Sequence, residues 1–294
     1  MVDVKEIKSL KLTPFTRMSA VIYGILGLIG AIVMLIMLTI VQVAGVIPQL
    51  GHFNIVTGLG LPLIIILPIA AFFSTIAVSF FSVMLYNILV LRLGGIKLEL
   101  DGKEVISIPV ISFSLIMSAI GAIWAFIAGL VLAAVISPLF SLISTLPAAT
   151  NITSNLTAAT GGAMPTGAEL GAAGIIVSLV LIIGLPIMVF VFGFIWNALF
   201  ALFYNYIVTR VVKIQLEFSQ ITENLHELKH IPVIPTALAV ALVYTLLGLI
   251  SGILSGNYGE FISNFIMYFI ETALIALLYN YLAPKIGTIK LNLE

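Results

Sequence analysis

Residues 222–230 read Thr-Glu-Asn-Leu-His-Glu-Leu-Lys-His, so His226, Glu227 and His230 form a literal His-Glu-x-x-His. On a helix this spacing sets two imidazoles on one face with a carboxylate beside them as general base, the chemistry of zinc proteases. Ser219 or Thr222 is suited to cap such a helix. Three features oppose that reading. Ile231-Pro232 follows at once and disfavours helix at His230. Lys229 places a cation beside a would-be dication. The remaining histidine, His52, falls in a segment expected across a membrane, which leaves Glu217 and Glu223 as poor third ligands. A solvated connector is therefore the preferred reading, with no metal or other cofactor expected. A membrane metalloprotease using His226 and His230 is an alternative.

Glu271 is the second chemical oddity. It sits in the apolar run 261–283, near the depth where an ionised carboxylate is costly. Thr272, beside it, aligns with Asn197 and Ser79 seven residues before three Tyr-Asn pairs, and Asn264 lies one heptad earlier. These five residues allow a proton or cation site on a central axis. They equally allow a neutral glutamic acid hydrogen-bonded between helices.

Such residues must be positioned by membrane spans. The chain has 294 residues, 62% of them hydrophobic and 8% charged, with a mean hydropathy of +1.28. Ordinary soluble domains carry about 25% charged residues. Long apolar runs occur at about 18–44, 63–91, 110–136, 173–208, 236–254 and 261–283. Lipid satisfies no backbone group, so each is expected to be a helix. The fourth run exceeds one crossing, and either tilts or holds a non-spanning turn before Pro186. The basic leader at Lys5, Lys8, Lys11 and Arg17 resembles a signal peptide, but the apolar run behind it is too long for one.

All twelve Lys and Arg fall before the first run, after the sixth, or within the segments 92–109 and 209–235. None occurs in the alternate connections 45–62, 137–172 and 255–260. The positive-inside rule then places both termini and the basic segments in the cytoplasm of a multi-pass cell-membrane protein. Asn151 and Asn155 head two N-glycosylation sequons in the segment expected outside. There is no cysteine, which excludes disulfides and thiolate chemistry. No basic stripe interleaved with aromatics and no nucleotide-binding motif is present, so nucleic acid and self-powered active transport are not expected.

Three segments align without a gap: Tyr86-Asn87 to Leu100, Tyr204-Asn205 to Phe218, and Tyr279-Asn280 to Leu293. A base follows each Tyr by six residues, at Arg92, Arg210 and Lys285, and an alternating apolar stretch comes next. The chain therefore reads as three repeats of two spans, 1–105, 106–225 and 226–294. The expected class is all-α transmembrane, with six helices as three hairpins in pseudo-threefold arrangement and short cytoplasmic β-hairpins. Asp101-Gly102 between two alternating runs is the strongest hairpin signal. The two terminal segments also alternate, and pairing them would close a ring. The Tyr, Asn and basic positions are expected as interfacial anchors: rings at the headgroups, amides bonding between helices, cations on anionic lipid.

The order span, Tyr-Asn, about seven residues, Gly94-Gly95-Ile96-x-Leu98-x-Leu100 resembles an uncharacterised bacterial family of small two-span membrane proteins, here tripled. The glycine pair is intact in the first repeat, whereas Val212-Lys213 and Gly287-Thr288 stand there in the others. The resemblance implies the fold and no activity. The functional expectation is a non-enzymatic membrane scaffold or assembly component. A small transporter or channel using Glu271 is the alternative. Expected partners are membrane lipids, with further copies of the chain or another membrane protein.

Overall fold

The computed structural model describes residues 3–44, 60–145 and 167–294. His52, Asn151 and Asn155 lie outside them. Six helices are long and apolar enough to cross a membrane, one for each of the six runs. In chain order the elements are β1 (Asp3–Leu10), α1 (Leu12–Val43), α2 (Leu61–Leu93), β2 (Ile96–Asp101), β3 (Glu104–Ser107) and α3 (Val110–Thr145). Then come α4 (Gly167–Leu179), α5 (Leu185–Tyr206), β4 (Glu217–Gln220), β5 (Leu225–His230), α6 (Val233–Ser255), α7 (Glu260–Ile286) and β6 (Ile289–Leu293).

Helices α4 and α5 form one span through a wide turn at Val180–Gly184. Pro186 lacks the N–H that would meet the Ile182 carbonyl, and widening the preceding turn relieves the clash its ring would cause. The fourth run is thus one continuous helix with a π-turn just before the proline.

The chain divides into two compact units. One comprises Phe113–Ala198 and contains most of α3 and the α4–α5 span. Its helices meet at glycines: a Cβ on Gly129 would fall 2.1 Å from the Leu181 carbonyl oxygen, so only glycine fits there. The other unit comprises Met1–Ser112 with Leu199–Glu294. In it α1 packs along α2, α6 along α7, and α7 also meets α1.

The six long apolar helices fit the expected all-α membrane class, but the short hairpins are not separate: all six strands join in one sheet of order β3-β2-β1-β6-β5-β4. Every named pairing is antiparallel. The expected hairpin β2–β3 forms, turning at Gly102-Lys103 with Asp101 paired to Glu104, and the terminal strands pair, with Lys11 N–H donating to Lys290 O at 2.9 Å. The sheet's outer strands also meet. Val105 N–H donates to Ile214 O at 2.9 Å, Leu216 N–H to Lys103 O at 2.8 Å, and Glu104 bridges Gln215. The two ends of the sheet are thus joined through residues 214–216, just before β4, and the six strands form a ring.

Directly opposite residues share a face. Ile7 opposes Ile96, Lys5 opposes Leu98, Asp3 opposes Leu100, and Leu100 opposes Val105. Strand β2 is buried at Ile96, Leu98 and Leu100 and exposed between them, which places the apolar set inside the ring with Leu228, Leu291 and Leu293. All twelve basic residues lie on the ring's strands, their connections or the adjoining helix ends.

Ring closure is testable because the chain lacks cysteine. Ser9 opposes Asn292, whose Nδ2 donates to Ser9 Oγ at 2.8 Å. Ser9→Cys with Asn292→Cys, and separately Glu104→Cys with Gln215→Cys, are expected to form intrachain disulfides under mild oxidation. Mass spectrometry of cleaved protein reads the links. Failure of the second pair alone would leave an open sheet.

Candidate functional site: three strand clamps at the ring

Where each strand meets a helix, backbone groups change partners. The ladder has ended, the helix has not begun, and an unpaired buried group costs about as much as a lost hydrogen bond. Tyr-Asn solves this three times. Asn87 Nδ2 donates to Leu10 O at 2.9 Å, and Leu10 N–H donates to Asn87 Oδ1 at 2.9 Å. Asn205 does the same with Ile108, at 2.8 and 2.9 Å. Asn280 repeats it with Ile231, at 2.7 and 2.9 Å. In each case the carboxamide stands in for a neighbouring strand at the last residues before a helix.

The tyrosines act one turn away. Tyr86 Oη donates to Ile7 O at 2.7 Å, Tyr204 Oη to Val105 O, and Tyr279 Oη to Leu228 O. The same oxygens accept from the strand that follows: Ile214 N–H reaches Tyr204 Oη at 2.9 Å, and Ile289 N–H reaches Tyr279 Oη at 3.2 Å. Ile96, likewise ten residues on, is the backbone partner of Tyr86. One hydroxyl thus ties an incoming strand to an outgoing one. The rings are 6%, 0% and 1% exposed, so the expected place at the lipid headgroups is corrected: they are packed inside the protein. The amides likewise bond strand ends, not neighbouring helices. Arg92, Arg210 and Lys285 are exposed at the adjoining chain ends, Lys285 lying 3.4 Å from the Tyr281 ring centroid.

A third component escaped the sequence reading. The residue before each tyrosine-bound carbonyl is an acid: Glu6, Glu104 and Glu227. Each contacts the residue nine after its Tyr. Gly95 N–H donates to Glu6 Oε1 at 2.7 Å, Lys213 Nζ to Glu104 Oε2 at 2.6 Å, and Thr288 Oγ1 to Glu227 Oε2 at 2.7 Å. Gly95 allows this approach because a Cβ there would sit 2.5 Å from Ile7 O. Gly94 before it has φ +77°, and Gly287 after α7 has φ +94°, a backbone region closed to most L-residues. The signal was present: Glu-Ile-Lys-Ser-Leu (6–10), Glu-Val-Ile-Ser-Ile (104–108) and Glu-Leu-Lys-His-Ile (227–231) share an acid, an apolar residue next to it and another three further on.

This accounts for the His-Glu-x-x-His spacing. Residues 226–230 are strand β5, where a helix would be needed to bring the imidazoles together. Four residues along a strand separate them by roughly 13 Å, beyond the reach of one ion. Glu227 is held by Thr288 and by Ser219, whose Oγ donates at 2.9 Å, and His230 Nδ1 lies 3.8 Å from Glu217 Oε1. Ser219 thus supports Glu227 from β4 and caps no helix.

The five residues expected around a central axis have separate partners. Ser79 Oγ bonds Thr75 O at 2.5 Å in its own helix, as Asn197 Nδ2 bonds Gly193 O at 2.7 Å in the other compact unit. Asn264 Nδ2 reaches Tyr244 O of α6 at 3.5 Å. Thr272 is half-buried. Glu271 is exposed, in a stripe of α7 with Met267, Ile270 and Leu277. Its carboxylate makes no hydrogen bond or ion pair among the described residues, so the expected tie between helices is not made.

Comparisons with protein families, with curated proteins and with solved structures give no match.

Tyr204→Phe or Tyr279→Phe leaves a carbonyl and an N–H unpaired in a buried site, and is expected to destabilise the protein by roughly 2–4 kcal/mol. Thermal unfolding in detergent reads the loss, with exposed Tyr206→Phe as the unchanged control. Hydrogen bonds from Gly95 to Glu6, and from Thr288 and Ser219 to Glu227, hold both carboxyls below the ordinary value of 4.5. With folded values depressed, their stabilisation is complete above about pH 4.5 and falls away as pH drops through the lowered values. Glu227→Gln should therefore flatten the acid limb of a stability–pH profile and lower the neutral plateau.

Proposed function

We propose that this multi-pass membrane protein is a non-enzymatic scaffold that holds a closed β-ring against the cytoplasmic face of the cell membrane. The supporting observation is the threefold clamp of Glu, Tyr and Asn. The buried polar side chains at the helix ends serve to fix the ring's shape, and among the described residues they line no polar route along the helices. In this reading the six helices form three hairpins around a pseudo-threefold axis, each delivering two strands. The repeated Glu, Tyr and Asn contacts support that arrangement, as does the resemblance to a family of two-span proteins. Arg92, Arg210 and Lys285, exposed at the foot of the ring, provide contacts for anionic headgroups. The ring is then a rigid surface for a membrane-protein partner or for further copies of the chain.

Transport is the second reading, favoured by one observation. Glu271 stands midway along α7, exposed and with no hydrogen bond or ion pair among the described residues. An intramembrane carboxyl with no partner is a functional candidate by default.

Proteoliposomes separate the two. The scaffold reading expects an imposed proton gradient to decay as in empty vesicles. A leak abolished by Glu271→Gln would replace that reading with transport. Orientation is read from Asp101→Cys in the cysteine-free chain. A membrane-impermeant maleimide should label it only after the cells are opened.

A further inference from the structure

The ring has two ends. Ile7 and Ile96 mark the one next to the helices, since β1 runs from there into α1 and β2 begins after α2. Asp3, Leu100, Gln220 and His226 mark the other. At this far end lies a cavity of about 580 Å³, large enough for a small organic molecule. Its apolar wall includes Leu100 and Phe218, and its polar wall carries Lys5, Lys103, Lys229 and His226.

His226 is the informative residue. It is 8% exposed, it faces Gln220 on one side and Leu291 on the other, and it lines the cavity. Its ring makes one long contact, Nδ1 to Asn224 O at 3.4 Å, and among the described residues Nε2 has no protein partner. Buried imidazoles are ordinarily satisfied at both nitrogens or by water. None of the clamps uses this one. Glu6, Glu104 and Glu227 have their own partners, and the equivalents of His226 in the other two strands are Lys5 and Lys103. A nitrogen donor thus stands one residue before each clamp acid, Lys103 in the turn that leads into β3.

Charge selects the ligand. Two carboxylates also reach the cavity, and each is matched by a lysine: Asp3 lies 3.5 Å from Lys5, and Glu217 lies 2.8 Å from Lys103. Lys229 and His226 remain without an ion pair among the described residues, and both lysine pairs keep further N–H donors. No three His, Asp or Glu side chains converge there to hold a cation among the described residues. A donor-rich wall opposite an apolar one suits an oxyanion on a small apolar body.

We infer that the far end of the ring is a binding pocket for a small molecule carrying a carboxylate or phosphate, with His226, Lys103 and Lys229 as its donors. The scaffold reading does not enter this inference, and the two fail separately, because ligand binding is measured on the purified chain.

The histidines are His52, His226 and His230, so selective ring labelling gives a simple NMR spectrum of the full chain in micelles. His226→Gln identifies the signal. Inorganic phosphate and citrate are added in separate titrations, each against sodium chloride of equal ionic strength. A saturable shift of the His226 signal is expected, with His230 following the salt control. Loss of one charge-assisted hydrogen bond in Lys103→Gln or Lys229→Gln should weaken binding about tenfold. Saturation by phosphate alone, or by citrate alone, identifies which oxyanion is taken. A His226 signal that tracks the salt control in both titrations overturns the inference. So does an unchanged midpoint in both lysine variants, which are exposed and leave the clamps intact.

Discussion

A tyrosine hydroxyl that donates to one strand and accepts from another is the contact on which this architecture depends. Helices in lipid satisfy their own backbones, but they end where the chain must become strand, and those ends are buried in the protein. At each junction the last carbonyl of one ladder and the first N–H of another lie close together. A single Oη serves both, as at Tyr204 and Tyr279. The neighbouring asparagine pairs with the residue three further along. Removing either side chain strands groups that lipid and apolar side chains cannot solvate.

The clamp also explains how a ring of such short strands persists. β3 and β4 have four residues each, and isolated strands of that length are marginal in water. Here each pair is held by its ladder, by a tyrosine from the helix below, and by an acid reaching across to the outgoing strand. The three acids use different donors: a glycine backbone N–H, a lysine and a threonine hydroxyl. What recurs is the position of a donor, whatever its chemistry. This is why the glycine pair of the first segment need not recur in the other two.

Much of this was legible in the sequence, and the reasons for what was not are physical. The spans follow from hydropathy, because lipid penalises every alternative to helix. The hairpin at Asp101-Gly102 and the pairing of the ends followed from period-two alternation. Tyr-Asn stood out by repetition, yet its role was misjudged, because an aromatic next to an amide at a span's end also describes a lipid-facing anchor. Only burial separates the two. The strand acids were hidden for a different reason: Glu227 sits inside a spacing known from metal sites, and Glu6 and Glu104 stand among other charges. Closure through residues 214–216 was not read, because the alternation of Ile214, Leu216 and Phe218 marks an extended segment without naming its partner.

Polar side chains do different work in the spans and at the ring. Side chains that hydrogen-bond within one helix, such as Ser79 and Asn197, leave the helix free to pack by shape alone, and glycines such as Gly27 and Gly129 let it do so. Side chains that bond between distant parts of the chain concentrate at the ring. Leu10 and Asn87 are 77 residues apart in sequence, Ile108 and Asn205 are 97 apart, and Ser9 and Asn292 are 283 apart. Such contacts join parts of the chain that only the packed spans bring together. Against this pattern Glu271 stands apart as a carboxylate within a span that, among the described residues, is tied neither to its own helix nor to the ring.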